Sequence, residues 1–317
     1  MWAGYNASFA RMSSTSNDRP ALRVALGEAQ NMLAAGPHPE RARRDAETLL
    51  LHVLRQNAPE TTLAGLIAHD ADPLALDAAA AFRDSIERRR AGEPIQYIAG
   101  EAEFYGLPFY VNRDVLIPRP ETELLVEKAI ELAQELRKTN MLPEPRFPGL
   151  QIVDVGTGSG AIAVALAHAL PFAEIAATDI SSAALAVAKR NAERNGVTDR
   201  IRFLEGDLLD AVGPGPFDIV LSNPPYVPET DRNTLDVEVC NFEPAQALFA
   251  GEDGLAIYRR MLPAAFRVLV AGGILLLEIG HSRQKAIQAL LKKEGFAEIE
   301  FFNDLQGIPR VAKAQRR

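Results

Sequence analysis

Apolar residues recur every three to four positions from residue 21 to about residue 90, which is the spacing of amphipathic helices. The first two stripes consist of Leu22, Leu26, Ala29 and Leu33, and of Ala46, Leu49, Leu50, Val53 and Leu54. Glycine and proline at residues 36–39 and 71–73 interrupt the periodicity, as they do at helix ends. A further stripe contains Leu76, Phe82 and Ile86. The pattern predicts a small helical bundle over residues 21–91.

The pattern changes between residues 92 and 118, where aromatic and β-branched residues are separated by Gly100, Gly106 and Pro108. Such a segment predicts a β-hairpin, which would link the bundle to the rest of the chain. Residues 1–20 are rich in serine and alanine and have no compact apolar core. They predict a disordered tail, or a natural start at Met12 in place of Met1, with an organelle transit peptide as the alternative.

Strands and helices alternate over residues 119–317. After a helix from Glu121 to about Lys138 and a proline-rich loop at residues 141–148, the predicted strands are 152–155, 174–178, 201–204, 217–222 and 273–279. The predicted helices between them are 161–170, 182–195 and 254–270. Residues 297–302 and 309–312 predict a closing antiparallel hairpin around a turn at 304–307. This alternation predicts an α/β domain with a doubly wound, mostly parallel seven-stranded sheet.

Composition and charge narrow the classes of function. The chain has 317 residues, 47% of them hydrophobic and 24% charged, with mean hydropathy −0.05, which fits two folded domains. The net charge of −8 provides no positive field for nucleic acid, and we interpret the basic run Arg88-Arg89-Arg90 as a solvated helix end. No apolar run is long enough to cross a membrane. A single cysteine, Cys240, excludes an internal disulfide and a cysteine-cluster metal site, and we assign no metal.

A glycine-rich loop, residues Gly156-Thr157-Gly158-Ser159-Gly160, lies between a predicted strand and a predicted helix. Such a loop lets the backbone approach a ligand and presents free N–H groups. Asp179 ends the next strand, where a carboxylate typically binds ribose hydroxyls. A nicotinamide dinucleotide and S-adenosylmethionine both fit these features. Asp154, the third glycine and Asp207, which can reach an adenine amino group, favour S-adenosylmethionine.

The tetrapeptide Asn223-Pro224-Pro225-Tyr226 follows the strand at residues 217–222. It combines an amide side chain, a backbone carbonyl between two prolines and an aromatic face at one strand end. These groups can accept both hydrogens of a planar NH2 group and contact its face. The tetrapeptide therefore predicts methylation of nitrogen and leaves adenine, cytosine and glutamine open as acceptors.

Five further segments of the chain are distinctive. They are Gly92-Glu93-Pro94-Ile95-Gln96-Tyr97-Ile98-Ala99-Gly100, Glu103-Phe104-Tyr105-Gly106, Leu116-Ile117-Pro118-Arg119-Pro120-Glu121-Thr122-Glu123, Phe242-Glu243-Pro244, and Asp304-Leu305-x-Gly307-x-x-Arg310-Val311. Together they resemble the HemK/PrmC family of protein-(glutamine-N5) methyltransferases. The resemblance implies a class I S-adenosylmethionine-dependent methyltransferase fold behind a helical substrate-recognition domain. It also implies the substrate, the glutamine of the Gly-Gly-Gln motif in class-1 peptide chain release factors, and a monomer. From the acidic charge and the apolar runs we expect a protein that acts without nucleic acid or membrane, and we expect it in the cytoplasm, with an organelle as the alternative.

The resemblance also implies a role for each matching residue. Residues 156–160 would contact the methionine and ribose parts of the cofactor, Asp179 the ribose, and Leu208 the adenine. Asn223 would contact cofactor and substrate, and with Pro224 and Tyr226 would form the catalytic set, while Pro225 would line the substrate site. Phe104 falls where the family has an aromatic residue near the active site, and linker packing is its alternative role.

Two other functions remain open from the residues themselves. An adenine-N6 nucleic-acid methyltransferase would use the same tetrapeptide, although the acidic charge argues against it. A non-catalytic, cofactor-binding partner of a translation factor would use the helical domain as its working surface.

Overall fold

The computed structural model describes residues 19–138 and 149–317. It divides into two compact units, of which the first ends at Ile98 and the second begins at Ala99. Residues 1–18 of the predicted tail and the predicted proline-rich loop at residues 141–148 lie outside the described residues.

The first unit is a helical bundle, as the apolar stripes predict. Its helices are α1 (Leu22–Ala34), α2 (Ala42–Arg55), α3 (Leu63–Ala68) and α4 (Leu76–Arg90), followed by the short α5 (Ile95–Ala99). Leu49 and Leu50 of α2 are fully buried against Leu33, Phe82 and Ile86. The positions that the 3.6-residue period selects therefore form one core.

Our interpretation of Arg88-Arg89-Arg90 as a solvated helix end is wrong for Arg89. Its side chain is 3% exposed, and its Nε donates to Asp45 Oδ2 in α2 at 2.6 Å while Nη1 donates to the Glu93 carbonyl at 3.0 Å. Arg88, in contrast, is part-exposed and pairs with Glu93. A buried charge needs such partners, and periodicity alone could not reveal them.

The second unit begins with a hairpin of β1 (Glu101–Phe104) and β2 (Leu107–Tyr110). Its two turn residues, Tyr105 and Gly106, have φ angles of 53° and 71°, the left-handed values that a two-residue hairpin turn requires. The Tyr105 N–H donates to Glu123 Oε1 at 2.8 Å. The hairpin is therefore fixed at its turn by the first residue of the following helix.

Seven strands form the main sheet of the second unit. They are β3 (Leu150–Val155), β4 (Ala173–Asp179), β5 (Ile201–Glu205), β6 (Phe217–Ser222), β7 (Leu269–Glu278), β8 (Phe296–Asn303) and β9 (Pro309–Arg316). Their order across the sheet is β5-β4-β3-β6-β7-β9-β8, and only the pairs that include β9 are antiparallel. The predicted doubly wound, mostly parallel sheet with a closing hairpin is confirmed.

Helices cover both faces of this sheet and create two cores. The described helices are α6 (Glu123–Lys138), α7 (Ala161–Ala169), α8 (Ser182–Arg194), α9 (Val237–Phe242), α10 (Ala245–Leu248), α11 (Ala256–Val268) and α12 (Gln284–Lys293). One core joins α6, α7 and the hairpin aromatics to one face, and the other joins α11 and α12 to the opposite face. Within the described ranges, no helix has the length and apolar character needed to cross a bilayer.

Two local predictions need correction. We predicted a helix over residues 254–270 and a strand that begins at Gly273. In the structure, helix α11 ends at Val268 and strand β7 begins at Leu269, four residues before Gly273. The apolar residues there fit either pattern, and Gly272 adopts a φ of 78° within the strand. Helices α9 and α10 were not predicted, because four to six residues are too few to show a helical period.

Candidate active site

The carboxyl ends of β3 and β6 lie side by side, because these strands are parallel neighbours. The glycine-rich loop leaves β3, and the tetrapeptide leaves β6. The Ser222 hydroxyl donates to the Val155 carbonyl at 2.6 Å and connects the last residue of each strand. The two motifs thus share the edge of the sheet at which open α/β proteins bind ligands.

Left-handed backbone shapes the glycine-rich loop, with φ angles of 73° at Gly156, 54° at Gly158 and 79° at Gly160. A Cβ added at Gly160 would lie 3.0 Å from the Ala188 Cβ, so this glycine permits close packing on α8. At Gly156 and Gly158, an added Cβ would meet no atom within 4 Å. Those two positions therefore border open space, as a ligand site requires.

Asp179 ends β4 and turns its carboxylate toward this loop. Oδ2 accepts the Gly158 N–H and Oδ1 accepts the Ser181 N–H, both at 2.9 Å. The Ser181 hydroxyl caps α8 by accepting the Ala184 N–H, so Asp179 is not the helix cap. Each carboxylate oxygen has a second lone pair that can accept a hydrogen bond from a ligand.

Asp154, two residues before the loop, is fully buried. Its Oδ2 accepts the Thr157 hydroxyl at 2.6 Å, and its Oδ1 has no hydrogen-bond partner. Burial, together with a smaller effect of the Asp179 charge and against the lowering effects of the Thr157 hydroxyl and the Ala163 N–H, raises the pKa of this carboxyl from the usual 3.8 to about 7. A buried oxygen without a donor is an acceptor for an ammonium or another N–H group.

The end of β5 provides Asp207 and Leu208, both half-buried. Asp207 Oδ2 accepts a hydrogen bond from Arg260 of α11, which the sequence did not predict. Leu208 has a φ of 53°, and its carbonyl accepts the Thr178 hydroxyl at 2.8 Å. This left-handed leucine packs beside the core that lies under α11.

A line of polar contacts supports the tetrapeptide, in which Pro224 is buried and the other three residues are half-buried. Asn223 Nδ2 donates to Thr122 Oγ1 at 3.0 Å, and Thr122 Oγ1 donates to Glu278 Oε2 at 2.6 Å. The Tyr226 hydroxyl donates to Glu278 Oε1 at 3.4 Å. Burial raises the pKa of Glu278 to about 7 and also raises the pKa of Tyr226.

Glu278 and Gly280, which sequence reasoning did not select, surround Tyr226. A Cβ at Gly280 would lie 2.9 Å from Tyr226 Cδ2, so the missing side chain makes room for the ring. The signal for Glu278 was a carboxylate at the end of the apolar run Leu275-Leu276-Leu277. A charge at the end of a buried strand is costly unless it has partners.

Two distant segments of the chain meet at Glu243. This buried carboxylate accepts a hydrogen bond from the Arg119 guanidinium, and also accepts the Ile117 N–H at 3.4 Å. Burial nevertheless raises the pKa of Glu243, against the lowering effect of Arg119. The pair ties the segment containing Thr122 to the segment that follows the tetrapeptide.

Phe104 is 1% exposed and packs edge to face on Phe109, with ring centroids 6.0 Å apart. Such contacts are those of linker packing, which the sequence analysis gave as the alternative role of Phe104. Asn191 of α8 joins the neighbouring strand β2 to the glycine-rich loop through its side-chain amide. Its amide accepts the Tyr110 N–H at 2.7 Å and donates to the carbonyls of Tyr110 and Ser159 at 2.9 and 2.8 Å.

Comparisons with known proteins agree with this geometry. Residues 25–100 match the family model "PrmC N-terminal domain", and residues 132–246 match "Methyltransferase small domain". The release factor glutamine methyltransferase of Chlorobaculum tepidum is 44% identical over 84% of this chain and 88% of its own length. That of Moorella thermoacetica is 41% identical over 93% of this chain and 99% of its own length.

Among solved structures, the hMettl16 catalytic domain in complex with a MAT2A 3'UTR hairpin is similar, with a TM-score of 0.52. It covers 76% of this chain and 82% of its own, at 16% identity. At this identity the likeness shows the fold alone, which is that of a methyltransferase catalytic domain.

Proposed function

Because this chain belongs to the family of release factor glutamine methyltransferases, we propose that it transfers a methyl group from S-adenosylmethionine to the side-chain amide nitrogen (N5) of a release-factor glutamine. The proposed glutamine is that of the Gly-Gly-Gln motif in class-1 peptide chain release factors. The observation that carries the proposal is the joining of tetrapeptide and glycine-rich loop through Ser222 and Val155. That contact supports the proposal because it holds the proposed NH2 site, the tetrapeptide, next to the proposed methyl-donor site, the glycine-rich loop.

The residues around the glycine-rich loop fit S-adenosylmethionine. Open space at Gly156 and Gly158 accommodates a ligand, and the partnerless Asp154 Oδ1 suits the ammonium group of its amino-acid part. Residues 156–160 would contact the methionine and ribose, Asp179 the ribose hydroxyls, and Asp207 and Leu208 the adenine. When bound, this cofactor supplies an electrophilic methyl group on a sulfonium and leaves as S-adenosylhomocysteine.

The chain's own contribution to the reaction is to position the acceptor nitrogen. An amide nitrogen is a poor nucleophile, because its lone pair is delocalised into the carbonyl. In our proposal, Asn223 Oδ1 and the Pro224 carbonyl accept its two N–H bonds, which aims the nitrogen and stabilises positive charge as it develops. Tyr226 stacks on the face of the amide, and Pro225 lines the site. The methylated nitrogen is positive, and its acidic N–H proton passes to solvent water as the neutral N-methyl amide forms, so no general base is assigned.

We further propose that residues 21–91 recognise the substrate, residues 92–118 link the domains, and residues 119–317 perform the reaction. The match of residues 25–100 to the family model "PrmC N-terminal domain" supports a separate domain in this part of the chain. We also propose that the protein is a cytoplasmic monomer that contacts neither nucleic acid nor membrane. The net charge of −8 supports the separation from nucleic acid.

The test is incubation of the protein with radiolabelled S-adenosylmethionine and a class-1 release factor, a release factor whose Gly-Gly-Gln glutamine is changed to alanine, or DNA containing adenine. We expect label on the unmodified release factor alone. Label on DNA would identify the protein as an adenine-N6 methyltransferase. S-adenosylhomocysteine binding without label on any substrate would identify a non-catalytic cofactor-binding protein.

A further inference from the structure

Three residues distant in sequence form a buried chain of hydrogen bonds that ends at Asn223. Thr122 lies 101 positions from Asn223 and 156 positions from Glu278 in the sequence. Thr122 is 4% exposed and Glu278 is 1% exposed. The contacts measure 3.0 and 2.6 Å. Asn223 does not itself contact the carboxylate, so any influence of Glu278 on it passes through the threonine hydroxyl.

The chemistry of these groups gives the chain a direction. An ionised carboxylate only accepts hydrogen bonds, whereas a hydroxyl has one proton to donate. The Thr122 hydroxyl therefore donates its one hydrogen bond to Glu278, and its oxygen can only accept a hydrogen bond from Asn223. The NH2 end of the Asn223 amide then faces Thr122, and Oδ1 remains as an acceptor for another partner.

The same carboxylate also holds Tyr226, the aromatic residue of the tetrapeptide. Glu278 Oε1 accepts the Tyr226 hydroxyl, and Gly280 leaves the space in which the Tyr226 ring lies. One buried group thus connects both side chains that the tetrapeptide would use on its substrate. Rings and amides held in this way lose less freedom when the substrate binds.

We propose that Glu278 and Thr122 are positioning residues, which hold the Asn223 amide with Oδ1 toward the substrate NH2 group and hold the Tyr226 ring beside it. This inference rests on the proposed function, since it explains how the site would select an NH2 donor. With the amide reversed, Asn223 would present its own N–H groups to those of the substrate, and two donors cannot form a hydrogen bond.

The arrangement should depend on pH, because it requires Glu278 to be ionised. Besides Thr122, the groups that act on it are Tyr226, Arg310 of β9 and Glu121 before α6, while Tyr258 of α11 donates to its backbone carbonyl at 2.7 Å. Burial is the largest influence and raises the pKa of Glu278 to about 7. A protonated Glu278 can donate to Thr122, which frees the threonine proton for Asn223 Oδ1. The fixed orientation is then lost below about pH 7.

Four variants of the full-length protein test the proposal. Thr122→Val removes the hydroxyl at nearly constant shape, Thr122→Ser retains it, and Glu278→Gln removes the charge. Tyr258→Phe is the matched control, because it deletes a buried hydroxyl that contacts Glu278 only at the backbone. Thermal unfolding, S-adenosylhomocysteine affinity and the kcat and pH profile of release-factor methylation are measured for each.

We expect Thr122→Val and Glu278→Gln to lower kcat about 10-fold or more, with S-adenosylhomocysteine affinity within about twofold of the original. Thr122→Ser and Tyr258→Phe retain kcat. In the original protein kcat falls as pH drops through about 7, and this fall is absent in Glu278→Gln. Unchanged kcat in Thr122→Val and Glu278→Gln, or the same acid limb in Glu278→Gln, overturns the proposal.

A second measurement separates this inference from the proposed function. The side-chain NH2 resonances of Asn223, assigned by their loss in Asn223→Ser, are followed by NMR across pH 6–8 without any substrate. We expect them to shift near pH 7 in the original protein and in Tyr258→Phe, but not in Glu278→Gln. Resonances that do not respond to Glu278 overturn the inference, whereas a protein that labels no release factor yet shows this response overturns only the proposed function.

Discussion

Among single residues, Asn223 has the most direct proposed contact with the reacting nitrogen. Asn223→Ala removes the acceptor oxygen, and the loss of one oriented group of this kind costs about 10² or more in rate. We expect that loss in the kcat for methylation of a release factor, measured at saturating S-adenosylmethionine because Asn223 is also expected to contact the cofactor. Asn112→Ala is the control in the same unit, because within residues 19–138 and 149–317 the side-chain amide of Asn112 forms hydrogen bonds with Asp114 alone. Full activity in Asn223→Ala contradicts the assignment.

Asp154 predicts a pH dependence of stability in the absence of cofactor. Its pKa is about 7 in the folded protein and near 3.8 when unfolded, so between these values the folded state holds a proton that the unfolded state lacks. Its contribution to stability is therefore complete below about pH 4 and is lost as pH rises to about 7, by at most about 1.4 kcal/mol per pH unit.

Asp154→Asn, which resembles the protonated form, removes this dependence. Urea unfolding of both proteins from pH 5 to pH 8 should show the variant gaining stability relative to the original as pH rises to about 7. A difference in unfolding free energy that does not change with pH would mean that Asp154 titrates at its ordinary value.

At the scale of elements, the β1–β2 hairpin contains a tyrosine where its turn favours glycine or asparagine. Left-handed backbone costs a side chain such as Tyr105 about 1–2 kcal/mol, and asparagine tolerates it better. We expect Tyr105→Asn to raise the free energy of unfolding by up to about 1 kcal/mol. Tyr105→Ala, which shortens the side chain without that tolerance, should bring no gain. Equal stability of the two variants in urea would show that the turn is not strained.

Elements with local signals were predictable, and contacts between them were not. The alternation of strands and helices identified the sheet, and the positions at strand ends identified the glycine-rich loop, Asp179 and Asn223. Thr122 and Glu278 were missed because their partners lie more than a hundred positions away. The ion pair of Asp207 with Arg260 was missed for the same reason, since a charge on a helix does not indicate which strand end it meets.

At the scale of the whole molecule, the first unit has its own core and its own buried ion pair. Asp45→Ala leaves Arg89 buried without its carboxylate, which typically costs about 3–5 kcal/mol. We expect a lower unfolding temperature and faster hydrogen exchange in residues 19–98. Affinity for S-adenosylhomocysteine should stay unchanged, because every proposed cofactor contact lies in the second unit.

Arg43→Ala, in the same helix, removes an exposed pair with Glu47 and should cost less than about 1 kcal/mol. Isothermal titration calorimetry of both variants measures the affinity. Weaker cofactor binding in Asp45→Ala than in Arg43→Ala would show that the units are energetically coupled, contrary to this expectation.

Asn191 has a consequence for which substitutions the protein can tolerate. Its three hydrogen bonds need one acceptor and two donors on a side chain of this length. Aspartate has no donor, glutamine is one carbon longer, and alanine leaves buried groups of the hairpin and the glycine-rich loop without partners. In a saturation mutagenesis screen, position 191 should accept almost no replacement, although the proposed chemistry takes place elsewhere.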